Sequence, residues 1–504
     1  MRVFLFFLIL IALAGGAQAA SPASPSLGIT PAAGPHAVGL RVVQQYDYSR
    51  VLAAPVDAFG QAGKAGPARP IQTLVWYPAQ RSRAAPMRVA DYLQASLSDV
   101  DFAFPKAEAA RQRAGWMAGP QRAQFGAPTR AVRDAAAAGG RYPVLIYAPS
   151  FGAFAHENLD LCEYLASHGY VVLASPSLGA RSIAMSADNE GVEAQAADIA
   201  FLAHYAQSLP QADITRLAAV GFSWGGMANV FAAARSNRIK ALVSLDGSIR
   251  FFPKIWSAAG YVRPASTAVP LLFLAAPAAG AKAMEIDDAS YLGTMKYSDV
   301  YAATLYPLTH GDFSSWHLRF APADVSPVDA RLQAYRSAAL YTRRFLDAYL
   351  KNDASALEFL QAPPAQNGIG SELMSMAIRP ASFVLLGEAD FLRAFAKAGY
   401  RNARDLYTQM SARSPDFRLS PANLNQLGAQ LLQAGNARGA VELFQLATHI
   451  EPGFASAFDG EGAAYESLGE TALAIAAYEK AVAADKNQGK ARARIEALRA
   501  GGPK

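Results

Sequence analysis

Short apolar runs recur through the first two thirds of the chain and alternate with stretches patterned for helices. Leu40-Arg-Val-Val-Gln-Gln-Tyr46 and Gln72-Thr-Leu-Val-Trp-Tyr77 have strand length and composition, with Pro78 as a stop. From Arg141 the rhythm tightens. Residues 143–148 and 170–174 are continuous apolar runs, 216–220, 241–245 and 270–274 are further apolar strand-like stretches, and 302–305 is a short run. Between them lie a helix around Cys162, where Leu159, Cys162, Leu165 and Ala166 share helical spacing, then helices near 194–209 and 225–235. An amphipathic helix follows over 330–351. Apolar strands alternating with helices predict an α/β fold, a mostly parallel sheet covered by helices on both faces. Ligands of such sheets sit beyond the carboxyl ends of the strands, so chemistry is expected just after each strand. Residues 89–140 are rich in Ala, Arg and Gln, with Phe102, Phe104, Trp116 and Phe125 scattered among them. They read either as a helical insertion near a site or as a solvated loop.

The pattern breaks at Gln361-Ala-Pro-Pro-Ala-Gln-Asn-Gly-Ile-Gly370 and turns wholly helical beyond it. A period of 34 residues starts at Pro421: Gly428, Ala440, Phe444 and Ala447 are matched one period later by Gly462, Ala474, Tyr478 and Ala481. Small residues let paired helices approach and aromatics fill the gaps. These offsets resemble the tetratricopeptide repeat. The second copy departs from it with Glu461 and Lys486, the latter where proline is usual. The expected organisation is a signal segment over 1–20, a catalytic domain over 21–360, a linker over 361–386 and a small all-α repeat domain over 387–504. Its clear copies are 421–454 and 455–488, 387–418 is a degenerate one, and Gly489 opens a capping helix.

The amino end reads as an export signal, with a positive Arg2, an apolar run over 3–14, and Ala17-Gln18-Ala19 for the peptidase. The expected location is periplasmic or secreted, with no membrane anchor after cleavage. The chain has 504 residues, 52% of them apolar and 17% charged, which excludes disorder and coiled coil for the whole. A net charge of +6 over that length argues against a nucleic-acid partner. The single cysteine, Cys162, excludes a disulfide framework and a cysteine zinc site, and its spacing makes it a core residue.

The chemistry concentrates at Arg216-Leu-Ala-Ala-Val-Gly-Phe-Ser-Trp-Gly-Gly226, an apolar strand, a sharp turn and a helix start. Gly221-x-Ser223-x-Gly225 in that setting is a nucleophile elbow, in which glycines admit the close strand–helix contact and the serine oxygen is pushed out above a helix amino terminus. A serine hydroxyl needs a base, and the base an orienting carboxylate. His310 in Leu308-Thr-His-Gly-Asp-Phe313 is the expected base, ahead of His317, which reads as the start of a helix face. Asp246 directly follows the 241–245 strand and is the expected acid, with Asp287 and Asp288 as competitors. The order serine, acid, histidine is that of an α/β-hydrolase. Oxyanion donors should be the backbone N–H groups of Trp224 and, in the loop after 143–148 where Pro149 has none, of Phe151, with that of Ser150 as the next candidate. Phe154 and Phe222 are expected to bind substrate, and Phe251, Phe252 and Trp256 are further aromatic candidates.

Several of these stretches also carry a family likeness: Tyr142-Pro-Val-Leu-Ile-Tyr147, Phe151-Gly-Ala-Phe154, Leu165-Ala-Ser-His-Gly-Tyr170, Gly221 to Gly226, Leu245-Asp246 and His310-Gly-Asp-Phe313. With Val75-Trp-Tyr-Pro78 upstream, residues 35–350 resemble the secreted-type platelet-activating-factor acetylhydrolases and their dienelactone-hydrolase-like relatives. The resemblance places nucleophile, acid and base on Ser223, Asp246 and His310. It implies hydrolysis of short-chain or phospholipid acyl esters, a small-molecule or lipid substrate, and no metal or organic cofactor. The family's His-Gly-x-Gly oxyanion loop is Pro149-Ser150-Phe151-Gly152 here. A dienelactone or polyester substrate is the nearer alternative. The more distant one is an interaction protein whose repeats bind a partner, or self-associate, around an inactive hydrolase domain.

Overall fold

The computed structural model describes residues 28–52, 68–278, 282–286, 290–321 and 328–501. The expected signal segment, Asp287 and Asp288 lie outside these. The described residues divide into two compact units, one within Met1–Ser248, Leu274–Met284 and Ala303–Ser375, the other within Ile249–Phe273, Glu285–Ala302 and Met376–Lys504.

The strands are β1 (Ala37–Val51), β2 (Ala68–Ala79), β3 (Ala131–Arg133), β4 (Tyr142–Ala148), β5 (Val171–Ala174), β6 (Ala212–Phe222), β7 (Ile239–Leu245), β8 (Leu271–Ala275), β9 (Val300–Leu305) and β10 (Met374–Arg379). They build one mixed sheet in the order β10-β9-β8-β7-β6-β4-β5-β2-β1-β3. The β5/β4, β4/β6 and β6/β7 pairs are parallel, so their carboxyl ends open on one edge. The β2/β5 and β1/β2 pairs are antiparallel. This is the α/β-hydrolase fold expected of the alternating pattern, with helices flanking the sheet. Both faces of the central strands are covered, and Val144, Leu145, Leu173, Ala218, Ala219, Ala241 and Val243 are buried.

Helices α1 (Val89–Ser96), α2 (Lys106–Ala118) and α3 (Arg122–Gly126) precede the β4 core, α4 (Leu159–Ser167) follows β4, and α5 (Asn189–Tyr205) follows β5. After them come α6 (Trp224–Arg235), α7 (Pro253–Ala258), α8 (Ser315–Phe320), α9 (Val328–Lys351) and α10 (Ala354–Gln361). Residues 89–140 are therefore the helical insertion, closed by a short strand, β3, that pairs parallel to β1. One buried hydroxyl ties it down: the Trp76 indole donates to the Tyr92 oxygen at 2.9 Å, and Tyr92 donates to the Glu163 carboxylate at 2.6 Å. α5 starts earlier than its apolar pattern suggests because Asp188 caps it, accepting from the Gly191 N–H at 2.9 Å. Arg69 of β2 is buried yet fully paired: it meets both Asp198 oxygens at 2.6 and 2.7 Å and donates to the Gly179 and Leu178 carbonyls. Cys162 is buried in α4, a core residue as its spacing predicts. Residues 361–386, read as a linker, hold a short 3-10 turn at Pro364–Asn367 and strand β10.

In the second unit, α11 (Glu388–Lys397), α12 (Ala403–Arg413), α13 (Pro421–Gln433), α14 (Ala437–Ile450), α15 (Ala455–Ser467), α16 (Thr471–Ala484) and α17 (Gly489–Ala500) follow one another. The α13–α14 and α15–α16 hairpins repeat with the 34-residue period read from the sequence, since they start at 421 and 455. Glycine is needed where their helices touch. A Cβ on Gly428 would lie 2.8 Å from the Phe444 ring, and one on Gly462 would lie 2.7 Å from Tyr478. Glu461 is buried in place of an apolar residue and accepts from the Gln445 amide at 2.9 Å. Among the described residues no helix is long and apolar enough to cross a membrane.

Asp99, beside α1, gives the first unit a pH-dependent liability. Its carboxyl accepts from the Gln72 amide at 2.6 Å, but burial lifts its pKa from 3.8 to about 8. A raised folded-state value means the stabilisation is complete at low pH and is lost as pH climbs through about 8. Asp99→Asn keeps the acceptor and removes the titration. Urea unfolding between pH 4 and 9 should show the wild type losing up to about 1.4 kcal/mol per pH unit relative to the variant over the middle of that span.

Candidate active site

β6 ends at Phe222 and α6 begins at Trp224, which leaves Ser223 as the only residue of the turn. Its backbone lies at φ 53°, ψ −115°, a region that L residues avoid. Three backbone bonds hold it there. The Ser223 N–H donates to the Leu245 carbonyl at 3.0 Å, and its own carbonyl accepts from Ser248 and Gly226 at 2.8 and 3.0 Å. The flanking glycines are required by contact. A Cβ on Gly221 would lie 2.5 Å from the Gly225 backbone, one on Gly225 would lie 2.0 Å from the Ala148 carbonyl of β4, and one on Gly226 would lie 2.8 Å from Gly247. The turn can therefore close only if all three lack side chains.

His310 comes from the segment that follows β9. It opens a 3-10 turn, His310–Phe313, that Thr309 caps: the Thr309 N–H and hydroxyl both donate to one Asp312 oxygen at 2.8 Å. Asp312 is buried and forms an ion pair with buried Arg331 of α9, which anchors the turn from behind. Ser223 donates its O–H to His310 Nε2 at 2.9 Å, and His310 Nδ1 lies 2.7 Å from Asp246 Oδ2. A carboxylate only accepts, so Nδ1 carries the proton and Nε2 is left as the acceptor. The Asp246 side chain is 3% exposed, while that of His310 is half open to the pocket. Asp246 leaves β7 at φ 42°, with its N–H on the Leu274 carbonyl at 2.6 Å and Oδ1 accepting from Ala276 at 3.3 Å. The structure thus brings together the three residues that the sequence pointed to. His317 lines the same pocket from α8 but is not the partner of Ser223, and His449 belongs to α14.

The pocket has a volume of about 360 Å³, with walls drawn from three segments that include Ser150, Phe154 and Glu157, then Phe222 and Ser223, then His310, Trp316 and His317. Phe154 lines it, 39% exposed. Phe222 lines it from below, buried, with its ring 5.1 Å from that of His310. Phe151 stands edge-on to the Trp224 ring at 5.5 Å. Trp256 packs in the second unit, edge-on to Tyr291 at 5.2 Å.

Three contributors have no motif in the sequence. Trp316 completes the aromatic wall. His156 lies buried behind it, stacked on Phe154 at 5.3 Å and edge-on to Trp316 at 4.8 Å, and burial drops its pKa to about 3, so it is a neutral ring. Glu157 lines the pocket itself, and its carboxylate accepts from the Ser150 N–H at 2.8 Å and from the Ser150 hydroxyl at 2.5 Å. Nothing in the local sequence around 156–157 or 316 separates a pocket residue from a core one.

Residues 117–248 match the family model described as Chlorophyllase, a span that includes Ser223 and Asp246 and ends before His310. Among solved structures, the chain is similar to a ferulic acid esterase from Streptomyces cinnamoneus, at 20% identity and a TM-score of 0.48, over 70% of this chain and 98% of that one. No curated protein matches the chain.

The strain at Ser223 can be measured apart from any chemistry. Ser223→Gly should stabilise the fold by about 1 kcal/mol over Ser223→Ala, because glycine tolerates the positive φ. Equal denaturation midpoints for the two variants would remove the strain argument.

Proposed function

We propose that this chain is a serine hydrolase of carboxylic esters. The observation that carries this reading is the hydrogen-bonded chain from Ser223 through His310 to Asp246, at 2.9 and 2.7 Å, with its serine on a strained strand-to-helix turn. The match to the chlorophyllase family model over 117–248 supports an ester hydrolase at the coarser level.

In this mechanism Ser223 Oγ attacks the ester carbonyl as His310 Nε2 takes its proton. Asp246 holds the Nδ1–H tautomer and stabilises the imidazolium that forms. The tetrahedral oxyanion is bound by the Trp224 N–H, at the amino end of α6, and by the Phe151 N–H, which among the described residues has no acceptor. His310 returns its proton to the leaving alcohol, and water then resolves the acyl-enzyme by the same route. No step asks for a metal or an organic cofactor.

Pocket size favours short acyl groups over long ones, since about 360 Å³ is near the lower end of the range for ligand sites. Its Phe151, Phe154, Phe222 and Trp316 lining suits an apolar or aryl portion of the ester. Export to the periplasm or beyond rests on the 1–20 pattern, and partner binding by the helical hairpins on their tetratricopeptide-like spacing.

The test is turnover of p-nitrophenyl esters from acetate to decanoate. Rates should peak among the short acyl chains and fall by decanoate. Ser223→Ala should drop to background, and Asp246→Asn should lower kcat by about 10⁴-fold through loss of the correct tautomer. A folded wild type that hydrolyses none of these esters, with Ser223 unlabelled by a fluorophosphonate, would overturn the reading.

A further inference from the structure

Glu157 has no part in the mechanism above, yet its carboxylate is spent on the one loop the mechanism relies on. Both donors of Ser150 converge on it, the N–H on Oε2 and the hydroxyl on Oε1. The Tyr147 hydroxyl, from the end of β4, adds a longer contact to Oε2 at 3.4 Å. The rest of the loop is pinned just as fully. The Pro149 carbonyl accepts from the buried Gln195 amide at 2.8 Å, and the Ser150 carbonyl accepts from Ala153 N–H at 3.2 Å. The peptide joining Pro149 to Ser150 is therefore held at both its oxygen and its nitrogen. The next peptide is held only at its oxygen, and in a trans peptide the Phe151 N–H must point the opposite way. Gly152 at φ 66° then turns the chain.

The backbone of Glu157 reaches the other half of the site. Its carbonyl accepts from the Trp316 N–H at 3.0 Å and from the Ser314 hydroxyl at 3.1 Å, both in the segment after His310. Its neighbour Asn158 is buried and accepts from Ser315 N–H and Tyr335 while donating to the Phe313 carbonyl and the Tyr147 oxygen. One short segment thus fixes the oxyanion loop with a side chain and the histidine turn with its backbone.

We propose that Glu157 is a positioning residue: as a carboxylate it locks Ser150, and through it the plane of the peptide that presents the Phe151 N–H to the oxyanion. This rests on the hydrolase reading of the pocket. As a carboxylate Glu157 accepts from both donors in charge-assisted bonds; once protonated it keeps the hydroxyl contact only by reversing it, as one of two weaker neutral bonds. Burial raises its pKa to about 7, opposed by the Ser150 bonds, the Tyr147 hydroxyl and, last, the nearness of the His310 ring. Tyr147 stays neutral, its own value pushed well above 10 by burial. The lock is therefore charge-assisted and strongest above about pH 7, and it weakens below.

The test compares the wild type with Glu157→Gln and Ser150→Ala. Glu157→Gln should lower kcat by about 10- to 100-fold with KM changed less than about threefold, because a misaimed oxyanion donor costs transition-state binding only. Affinity for an alkyl boronic acid should fall in parallel with kcat/KM. The wild-type acid limb should be steeper than one ionisation allows, and in Glu157→Gln it should reduce to a single ionisation. Ser150→Ala, which keeps the N–H bond, should show a smaller loss of the same kind. Hydrogen exchange across 149–154 gives a readout that needs no turnover: corrected for intrinsic rate, it should accelerate in the wild type below pH 7 and be fast at all pH in Glu157→Gln. Wild-type kcat, acid limb and exchange in that variant would overturn the proposal, as would a loss confined to KM. A wild type that is inactive and unlabelled at Ser223 would instead bring down the hydrolase reading, and the exchange data alone would then decide the role of Glu157.

Discussion

Ser223 is held at φ 53°, ψ −115° between a strand and a helix, and the rest of the site is arranged around that one strained residue. A nucleophile must stand proud of the sheet edge, and a strand that turns into a helix within one residue is the shortest way to put it there. Such a turn is intrinsically unfavourable by about 1–3 kcal/mol and persists only where its surroundings over-determine it. Here the surroundings are the Leu245 carbonyl, the Ser248 N–H and the contacts at Gly221, Gly225 and Gly226 that a single Cβ would prevent. The packing of β4, β6, β7 and α6 at these glycines supplies the geometry.

The other parts of the site are delivered by polar clamps. His310 stands half exposed on a short turn whose far end is anchored by buried Phe313. Buried Asp312 and Arg331 tie that turn to α9, and buried Asn158 ties the following residues to β4 and α9. Clamps of this kind add little net stability, because desolvation offsets most of their attraction. They specify one arrangement, since a half-satisfied buried network is costly. The neutral His156 ring acts similarly for the pocket wall, filling the space behind Phe154 and Trp316 without bringing in a charge.

The second unit is held together differently. Its hairpins gain order from repetition, with Gly428 against Phe444 and, one period on, Gly462 against Tyr478. Each pair is local in sequence, so the contacts that define the hairpin close over short loops with little entropy to overcome.

The contrast explains what could be read from the chain alone. Apolar runs pointed to the central strands, the strand–turn–helix setting of Gly221 to Gly226 to Ser223 on its tight turn, and a residue directly following a strand to Asp246, because all three are local patterns with a local physical cause. The 34-residue period was legible for the same reason. His310 followed from chain order and from a loop-like setting. Tertiary structure alone decided that residues 89–140 are helical and end in an edge strand, since β3 is too short to show a pattern and exists only by pairing with β1. It also made a strand of 374–379, inside the stretch read as a linker, because that segment acquires its partner from the sheet. Glu157, His156 and Trp316 were invisible for the deepest reason. A glutamate in Ala-His-Glu-Asn-Leu carries no sign of the hydroxyl and N–H it will meet, and those contacts come into being only when the chain after β4 folds back against the loop that precedes it and the turn that bears His310.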